Sequence, residues 1–430
     1  MSDNFDWRNC WYPVVFVKDL PPDQPYSFDL YGEALVLFFD TERRLSCLRD
    51  RCPHRAARLS DGQIVDGKLE CLYHGWQFDK SGQCVHIPQM LPDKPIPDRA
   101  CTRSFAVETM QDIVWIWAGD PASADTKTIP ALDDFAAKDI FSVDYQIDLP
   151  YDQTYLIENI IDVAHIHVAH HGLRGGGHRS MAMPLEFDVS ENSVHGIVAS
   201  YRSVGLEVNR DLSAINSAKI RFEAPNLIHY VTDYKNKERV AGLALYSLPL
   251  GQGRCRLLYR KYSNFYPWKE RIKPRFIEHW IQNQILQQDM ALIIGQYEEI
   301  ERSGDNLRDV WLPLKSSDTL VIAYRKWLDK FAANAPMYRG FSSHRKDGHN
   351  PAFEDRSNSI FELHTKHCSS CTRVYQLAGI SQRVLLAILA VLLPVLLFSF
   401  GSAANTIILI GYMAGLSALL LSVWFRNKFE

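Results

Sequence analysis

Cys52-Pro-His54 is followed, after sixteen residues, by Cys71-Leu-Tyr-His74 and then Gly75-Trp76. A C-x-H and a C-x-x-H pair have metal-ligand spacing, and a shared metal site obliges two separate loops to meet at one place. That demand limits what the surrounding hundred residues can fold into. The loops need a stiff frame, and the flanking sequence offers strands. Tyr12–Val17, Ala34–Phe39 and Leu45–Leu48 are short runs rich in aromatic and apolar residues, and Asp61-Gly62, Asp66-Gly67 and Ser81-Gly82 break the chain as turn pairs. Residues 7–105 therefore read as a small all-β unit. Cys10, Cys47, Cys84 and Cys101 lie outside the ligand spacing and read as small buried apolar residues.

Two kinds of centre fit such a set. Zinc would take all four ligands on one tetrahedral ion. A Rieske [2Fe–2S] cluster would take both thiolates on one iron and both imidazoles on the other, each loop giving one ligand to each iron.

A second constellation lies at 158–171, Glu-Asn-Ile-Ile-Asp-Val-Ala-His-Ile-His-Val-Ala-His-His, within a helix-like stretch near 153–170. An iron with open positions is usually held by two histidines and one carboxylate on one face. Periodicity favours His167 and His171, four residues apart and on one helix face. His165 and His170 are five apart, about 140° around an ideal helix. The carboxylate should come from far along the chain. In the helical pattern over 268–302, Ile281, Ile285, Asp289, Leu292 and Gln296 form one stripe. An aspartate in an apolar stripe is costly unless something pairs with it, so Asp289 is the candidate. Glu298 and Glu299 read as solvated charge.

The C-terminal end is apolar. Val384–Phe400 and Thr406–Phe425 carry no charge and are separated by Gly401-Ser-Ala-Ala-Asn405. At 1.5 Å per residue each spans roughly 25–30 Å, about one bilayer core. A transmembrane helical hairpin fits best. Arg373 and Arg383 before it and Arg426 and Lys428 after it would place both flanks, and the catalytic part, on the cytoplasmic face. Just upstream lies His364-Thr-Lys-His367-Cys368-Ser-Ser-Cys371. Cys368 and Cys371 read as a redox switch, with zinc on the thiols and nearby histidines as the alternative.

Composition removes other classes. In 430 residues, 47% are hydrophobic and 23% charged, which excludes collagen-like, disordered and disulfide-scaffold chains. With 47 basic and 50 acidic residues the net charge is -3, so no basic surface for nucleic acid is expected. The N-terminal MSDNFDWRNCWYP resembles neither a signal peptide nor a transit peptide, which suggests a bacterial protein that is not exported or an already mature one. Gly172-Leu-Arg-Gly-Gly-Gly177 has the wrong spacing for a dinucleotide loop and reads as a substrate or hinge loop. With no nucleotide fingerprint, electrons must come from a separate donor.

The flanks CPHR and YHGW around C-x-H-x16-C-x-x-H resemble the Rieske domain of Rieske non-haem iron oxygenases. Asn159-x-x-Asp162-x-x-His165-x4-His170 resembles their catalytic signature, and QQDMALIIGQ resembles their third-ligand helix. The C-x-x-C before two apolar helices is similar to the membrane-anchored pheophorbide a oxygenase and lethal-leaf-spot cell-death-suppressor group, here of a bacterial, cyanobacterial-like kind. The resemblance implies an α+β chain. Residues 1–108 would be an all-β Rieske domain, 109–350 an α+β, helix-grip-like catalytic domain, 351–382 a linker and 383–426 the hairpin. It implies a [2Fe–2S] cluster on Cys52, His54, Cys71 and His74. It implies Fe(II) on His165, His170 and Asp289, which requires the helix to unwind or bulge between the two histidines. Asp162, beside Asn159, would carry electrons between centres across a head-to-tail homotrimer. Ferredoxin and its reductase would donate, O2 would be co-substrate and thioredoxin would act on the C-x-x-C. The implied activity is oxidation of an apolar ring, first a chlorophyll-derived tetrapyrrole such as pheophorbide a. The alternatives are oxidation of another apolar ring, sterol or aromatic, or a membrane redox sensor or electron carrier without oxygenase turnover. A thylakoid or plasma membrane would hold the chain.

Overall fold

Strands dominate from Trp11 onward because the apolar runs are short and punctuated by turns. Trp11–Phe16 is buried at all 6 positions and pairs antiparallel with Ile113–Trp117, buried at all 5. Strands buried on both faces read as unbroken apolar runs, as WYPVVF and IVWIW do. A computed structural model describes residues 4–136, 138–174, 176–204, 215–344, 359–398 and 401–430. The chain divides into two units, Met1–Arg271 with Ile285–Asp355, and Ile272–Gln284 with Arg356–Glu430.

In the first unit, Tyr26–Leu30, Glu33–Phe39, Leu45–Arg49 and Ser104–Phe105 form one antiparallel sheet. Gln63–Val65, Lys68–Glu70, Gln77–Phe78 and Cys84–His86 form another. Side chains alternate along a strand. Leu35 and Leu37 enter one core while Val36 and Phe38 enter a second, which also holds Cys52, Leu69, Cys71 and Phe78. The Asp66-Gly67 pair is a two-residue hairpin turn joining Val65 to Lys68, with φ of 48° and 69°. A Cβ on Gly67 would lie 2.4 Å from the Thr41 nitrogen, so glycine is required there. Cys47 and Cys84 are buried as expected, whereas Cys10 is half-buried and Cys101 exposed.

The larger sheet has seven antiparallel strands. Phe141–Leu149 sits at one edge, followed by Arg254–Ser263, Ala241–Gly251, Leu227–Tyr234, Ile215–Glu223, Gly196–Ser203 and Leu185–Ser193. The first strand pairs with the last, which closes a six-stranded meander. Helix Gln153–Ile161 lies against Ala241–Gly251 and Arg254–Ser263, and helix Thr319–Phe331 against Leu185–Ser193 and Gly196–Ser203. This is the expected α+β arrangement. Register places Asp144 opposite Arg260 and Asp148 opposite Arg256. Both are bidentate pairs, and both arginines are buried. Arg256 also donates to the Val14 carbonyl (3.1 Å) and Arg260 to the Gln111 carbonyl, so these pairs fasten the sheet of Trp11–Phe16 and Ile113–Trp117 to the larger one. Removing one partner of such a pair costs about 3–5 kcal/mol.

The helix-like stretch near 153–170 is broken earlier than its pattern suggested. Gln153–Ile161 ends at Asp162, whose ψ of 95° leaves the helical region. A separate turn, Ile166–Ala169, follows, flanked by His165 and His170. The chain therefore turns before His165 and again at His170, with no π-bulge between them.

In the second unit, helices Ser369–Phe398 and Ser402–Arg426 run antiparallel. Both are long and apolar enough to cross a bilayer. Gln382 donates to the Ser422 carbonyl (3.2 Å), and a Cβ on Gly415 would approach Leu389 to 3.1 Å, so small residues let the helices close up. Val384, Leu386, Val391, Ile407 and Leu421 are exposed, an apolar surface that suits lipid. The expected linker is corrected here. Its residues 351–358 lie outside the described residues, but Ile360–Leu363 is helical and the first long helix already starts at Ser369. The segment looked like linker because few of its residues are apolar, while its buried positions are Ile360, Leu363, His364, Thr365, Cys368, Cys371, Ala378 and Gly379.

Candidate metal centres

Cys52 and Cys71 head two loops of the same construction. The Cys52 amide donates to the Ala57 carbonyl (2.8 Å), and the Ala56 amide returns to the Cys52 carbonyl (3.0 Å). The Cys71 amide donates to Trp76 (2.8 Å), and the Gly75 amide returns to Cys71 (2.9 Å). Ala56 and Gly75 hold the same left-handed position, with φ of 60° and 74°. The loops thus present Cys52 with His54, and Cys71 with His74, in parallel fashion. Both sulfurs are buried, and burial pushes the Cys52 thiol up to about 11. His54 is exposed and His74 half-buried, with ring centroids 4.6 Å apart. Trp76 stacks on His54 at 4.7 Å and 3°. His74 is held below the usual imidazole range by partial desolvation, then by His54 and Arg55.

Sulfurs inside and imidazoles outside suit a two-iron cluster with different ligands on each iron. A single tetrahedral ion would gather all four ligand atoms. Among the described residues, the groups that gather within 4.8 Å are two others.

His165, His170 and Asp289 form the first of those groups. Asp289 Oδ1 lies 3.2 Å from His170 Nε2 and 3.7 Å from His165 Nε2. Neither approach is aligned as a hydrogen bond, and this buried oxygen has no properly aligned donor. Three ligand atoms converging without satisfying one another fit a metal held on one face by two histidines and a carboxylate. Burial works against a charged His170, but the Asp289 carboxylate outweighs it and raises its pKa. Gln288 Oε1 lies 3.2 Å from His170 Nδ1 and orients the ring, a partner that sequence reasoning missed although it adjoins Asp289.

The other named residues fall around this group. Asp162 accepts from the Ala164 amide (2.9 Å), and its other oxygen is 3.6 Å from His165 Nδ1. Asn159, Asp162, His165, Asp289, Leu292, Gln296, Trp311, Leu312 and Pro313 line an open cavity of about 440 Å³. Buried Glu158 pairs with buried Arg325 and accepts from Gln296 (3.3 Å), a bridge that fixes the helix before Asp162 and that the sequence did not reveal. The apolar stripe proposed for Asp289 is corrected. Leu292 and Gln296 are exposed, and from Asp289 to the helix end the buried positions are Asp289, Met290, Ile293, Tyr297 and Ile300. His167 and His171 lie outside the converging group. The glycine loop packs onto the ligand turn, for a Cβ on Gly176 would meet the His170 carbonyl at 2.2 Å.

The second gathered group is His279, His364, Cys368 and Cys371, all buried. His367 is not part of it. Cys368 is pulled down by Cys371 first and by His279 and His364 after it.

Comparison with known proteins agrees with this geometry. The Rieske [2Fe-2S] domain family matches residues 10–106, and the pheophorbide a oxygenase family matches residues 222–306. Protein TIC 55, chloroplastic, of Arabidopsis thaliana is 35% identical over 78% of this chain and 62% of its own length. Pheophorbide a oxygenase, chloroplastic, of Oryza sativa subsp. japonica is 30% identical over 89% of this chain and 76% of its own. The chain spans 61–62% of the length of the TIC 55 relatives it matches. A crystal structure of dicamba monooxygenase bound to 3,6-dichlorosalicylic acid superimposes with a TM-score of 0.62 at 24% identity, over 76% of this chain and 98% of that one, a likeness of fold. The chain belongs to the Rieske non-haem iron oxygenase family, in the group that contains pheophorbide a oxygenase.

Proposed function

We propose that the chain is the terminal component of a membrane-held, ferredoxin-dependent Rieske oxygenase that oxidises an apolar ring, first of all a chlorophyll-derived tetrapyrrole. The observation that carries this reading is the converging triad of His165, His170 and Asp289 beside an open cavity. An electron carrier needs no second, open centre. Relatives named for pheophorbide a and chlorophyllide a favour the tetrapyrrole.

Cys52, His54, Cys71 and His74 would hold the cluster, and His165, His170 and Asp289 the iron. When bound, these groups deliver electrons and activate O2. The chain's own work is positioning. Gln288 holds the His170 ring, and the Glu158–Arg325 pair anchors the helix that ends at Asp162. Asn159 and Asp162 stand at the cavity mouth, where Asp162 can orient His165 through the nitrogen that faces away from Asp289. Asp162 is the bridge to a cluster histidine of a neighbouring copy in a homotrimer, a reading supported by its partial exposure and by exposed Leu72 and Tyr73 beside His74. Trp311, Leu312 and Pro313 give the cavity an apolar wall for a flat ring.

The two apolar helices anchor the chain, with Arg373, Arg383, Arg426 and Lys428 on the side facing the donor, cytoplasmic or stromal. These relatives are plant and algal chloroplast proteins, which favours a thylakoid-type membrane over a bacterial plasma membrane. The test is incubation of the detergent-solubilised protein with ferredoxin, its reductase, labelled O2 and a panel of tetrapyrroles, sterols and aromatics, read by mass spectrometry. Label in a tetrapyrrole is expected. Label only in another ring moves the substrate. A protein with both centres loaded that labels nothing and consumes no O2 would sink the oxygenase reading.

A further inference from the structure

The second unit holds four ligand-type side chains that neither iron centre uses. His279 and His364 are each 0% exposed, Cys368 1% and Cys371 0%. They come from three places. His279 lies in the helix Arg275–Ser303, His364 follows the short helix Ile360–Leu363, and Cys368 and Cys371 straddle the start of the helix Ser369–Phe398. His279 Nδ1 is 3.3 Å from Cys368 Sγ and 3.5 Å from Cys371 Sγ, while His364 Nε2 is 3.3 Å from Cys371 Sγ. All four ligand atoms lie within 4.8 Å of one another.

We propose that His279, His364, Cys368 and Cys371 bind one structural zinc ion. Zn–S bonds of 2.3 Å and Zn–N bonds of 2.0–2.1 Å at tetrahedral angles put neighbouring S and N atoms about 3.5 Å apart. The observed separations match that edge. Two thiolates and two imidazoles form a closed set with no open position, which is the structural kind of zinc site. The surroundings exclude solvent. Phe276, Phe425 and Phe429 pack around the two cysteines. The Thr365 hydroxyl donates to the Phe429 carbonyl (2.8 Å), and the Thr372 hydroxyl donates back to the Thr365 carbonyl (2.6 Å). Thiol–disulfide exchange needs access to a sulfur. Sulfurs this deeply buried are poor targets for exchange while an ion is held between them. The ion would pin the 272–284 segment to the polar end of the helical hairpin, where Arg426 donates to Tyr375.

The site is independent of the oxygenase reading, and so is its test. Zinc and iron are measured by mass spectrometry on the full chain purified in detergent. About one zinc per chain is expected beside the iron. His279→Gln and Cys371→Ser should lose the zinc while the iron stays. His367→Gln, which removes the nearby histidine outside the group, should keep it. Growth with cobalt should give the visible bands of a tetrahedral thiolate site, and alkylation of Cys368 and Cys371 should become fast only after a chelator is added. The chelator arm uses unaltered protein, so a variant that fails to fold leaves a decisive measurement in place. A metal-free protein as isolated, a Cys368–Cys371 disulfide, or zinc that survives both His279→Gln and Cys371→Ser would overturn the proposal.

Discussion

Two regions of this chain present two cysteines and two histidines each, and they use them in opposite ways. Around Cys52 and Cys71 the sulfurs are buried, while His54 is exposed and His74 half-buried. The ligands fall within 23 residues, on two loops of matching hydrogen-bond pattern. Around Cys368 and Cys371 all four ligands are buried, and one of them comes from 85 residues before the next. The first arrangement keeps a face toward a partner, as electron exchange requires. The second turns every ligand inward, as a structural clamp requires. Ligand type alone does not separate a redox centre from a staple; burial and connectivity do.

The comparison breaks most completely at Cys71. Cys71→Ser should abolish the low-average-g EPR signal of the reduced protein and its labile sulfide, and leave the zinc near Cys371 untouched. Stoichiometric zinc without sulfide in the unaltered loops would show that the two regions are the same kind of site.

Asp162→Asn should leave both metals bound and the cluster reducible, while turnover falls by orders of magnitude. Stopped-flow oxidation of the reduced cluster by O2 with substrate present is the measurement. A wild-type rate would refute the bridge.

Asp289→Ala should cost the mononuclear iron, one of three per chain if both centres fill, while the cluster spectrum survives. Full iron retention would move the third ligand to another carboxylate.

A chain ending at Ser381 lacks both apolar runs and also Phe425 and Phe429, which cover Cys368 and Cys371. It should leave the membrane and keep the cluster spectrum, but bind zinc more weakly and lose it to a chelator faster. Truncated protein that stays in the membrane fraction would place the anchor elsewhere.

The smallest effect belongs to His229, a buried histidine with no cysteine or carboxylate group gathered on it. Burial first, and Arg221 second, hold it down from 6.5 to about 4. Between those values the unfolded chain binds the extra proton. This contribution is full above about pH 6.5 and lost as pH falls through 4, roughly 3 kcal/mol in all. His229→Gln should flatten the rise of thermal stability from pH 4 to 6.5. An unchanged pH profile would mean that the imidazole is not kept neutral.

Local patterns were legible for physical reasons. The strands at Trp11–Phe16 and Glu33–Phe39 are buried on both faces, so burial shows as unbroken apolar runs. The Asp66-Gly67 hairpin needs two left-handed residues, and only a few residue types allow that. Asp289 was found, but through a stripe that does not exist as drawn. Leu292 and Gln296 face the cavity, and Asp289 is buried because the two histidines meet it. Helical periodicity put His167 with His171 because it assumes one unbroken helix. The backbone leaves that helix at Asp162 and departs again at His170, so His165 and His170 flank one short turn and both approach Asp289.

Sequence by itself determined the Rieske loops, the short strands around them and the two apolar helices, because each is governed by neighbours close along the chain. The tertiary structure decided which histidines converge, since a ligand set is chosen by where segments meet in space. His279 shows this most clearly. Nothing near it in the sequence marks it as a ligand, and it becomes one only when its helix packs beside the turn that carries His364, Cys368 and Cys371.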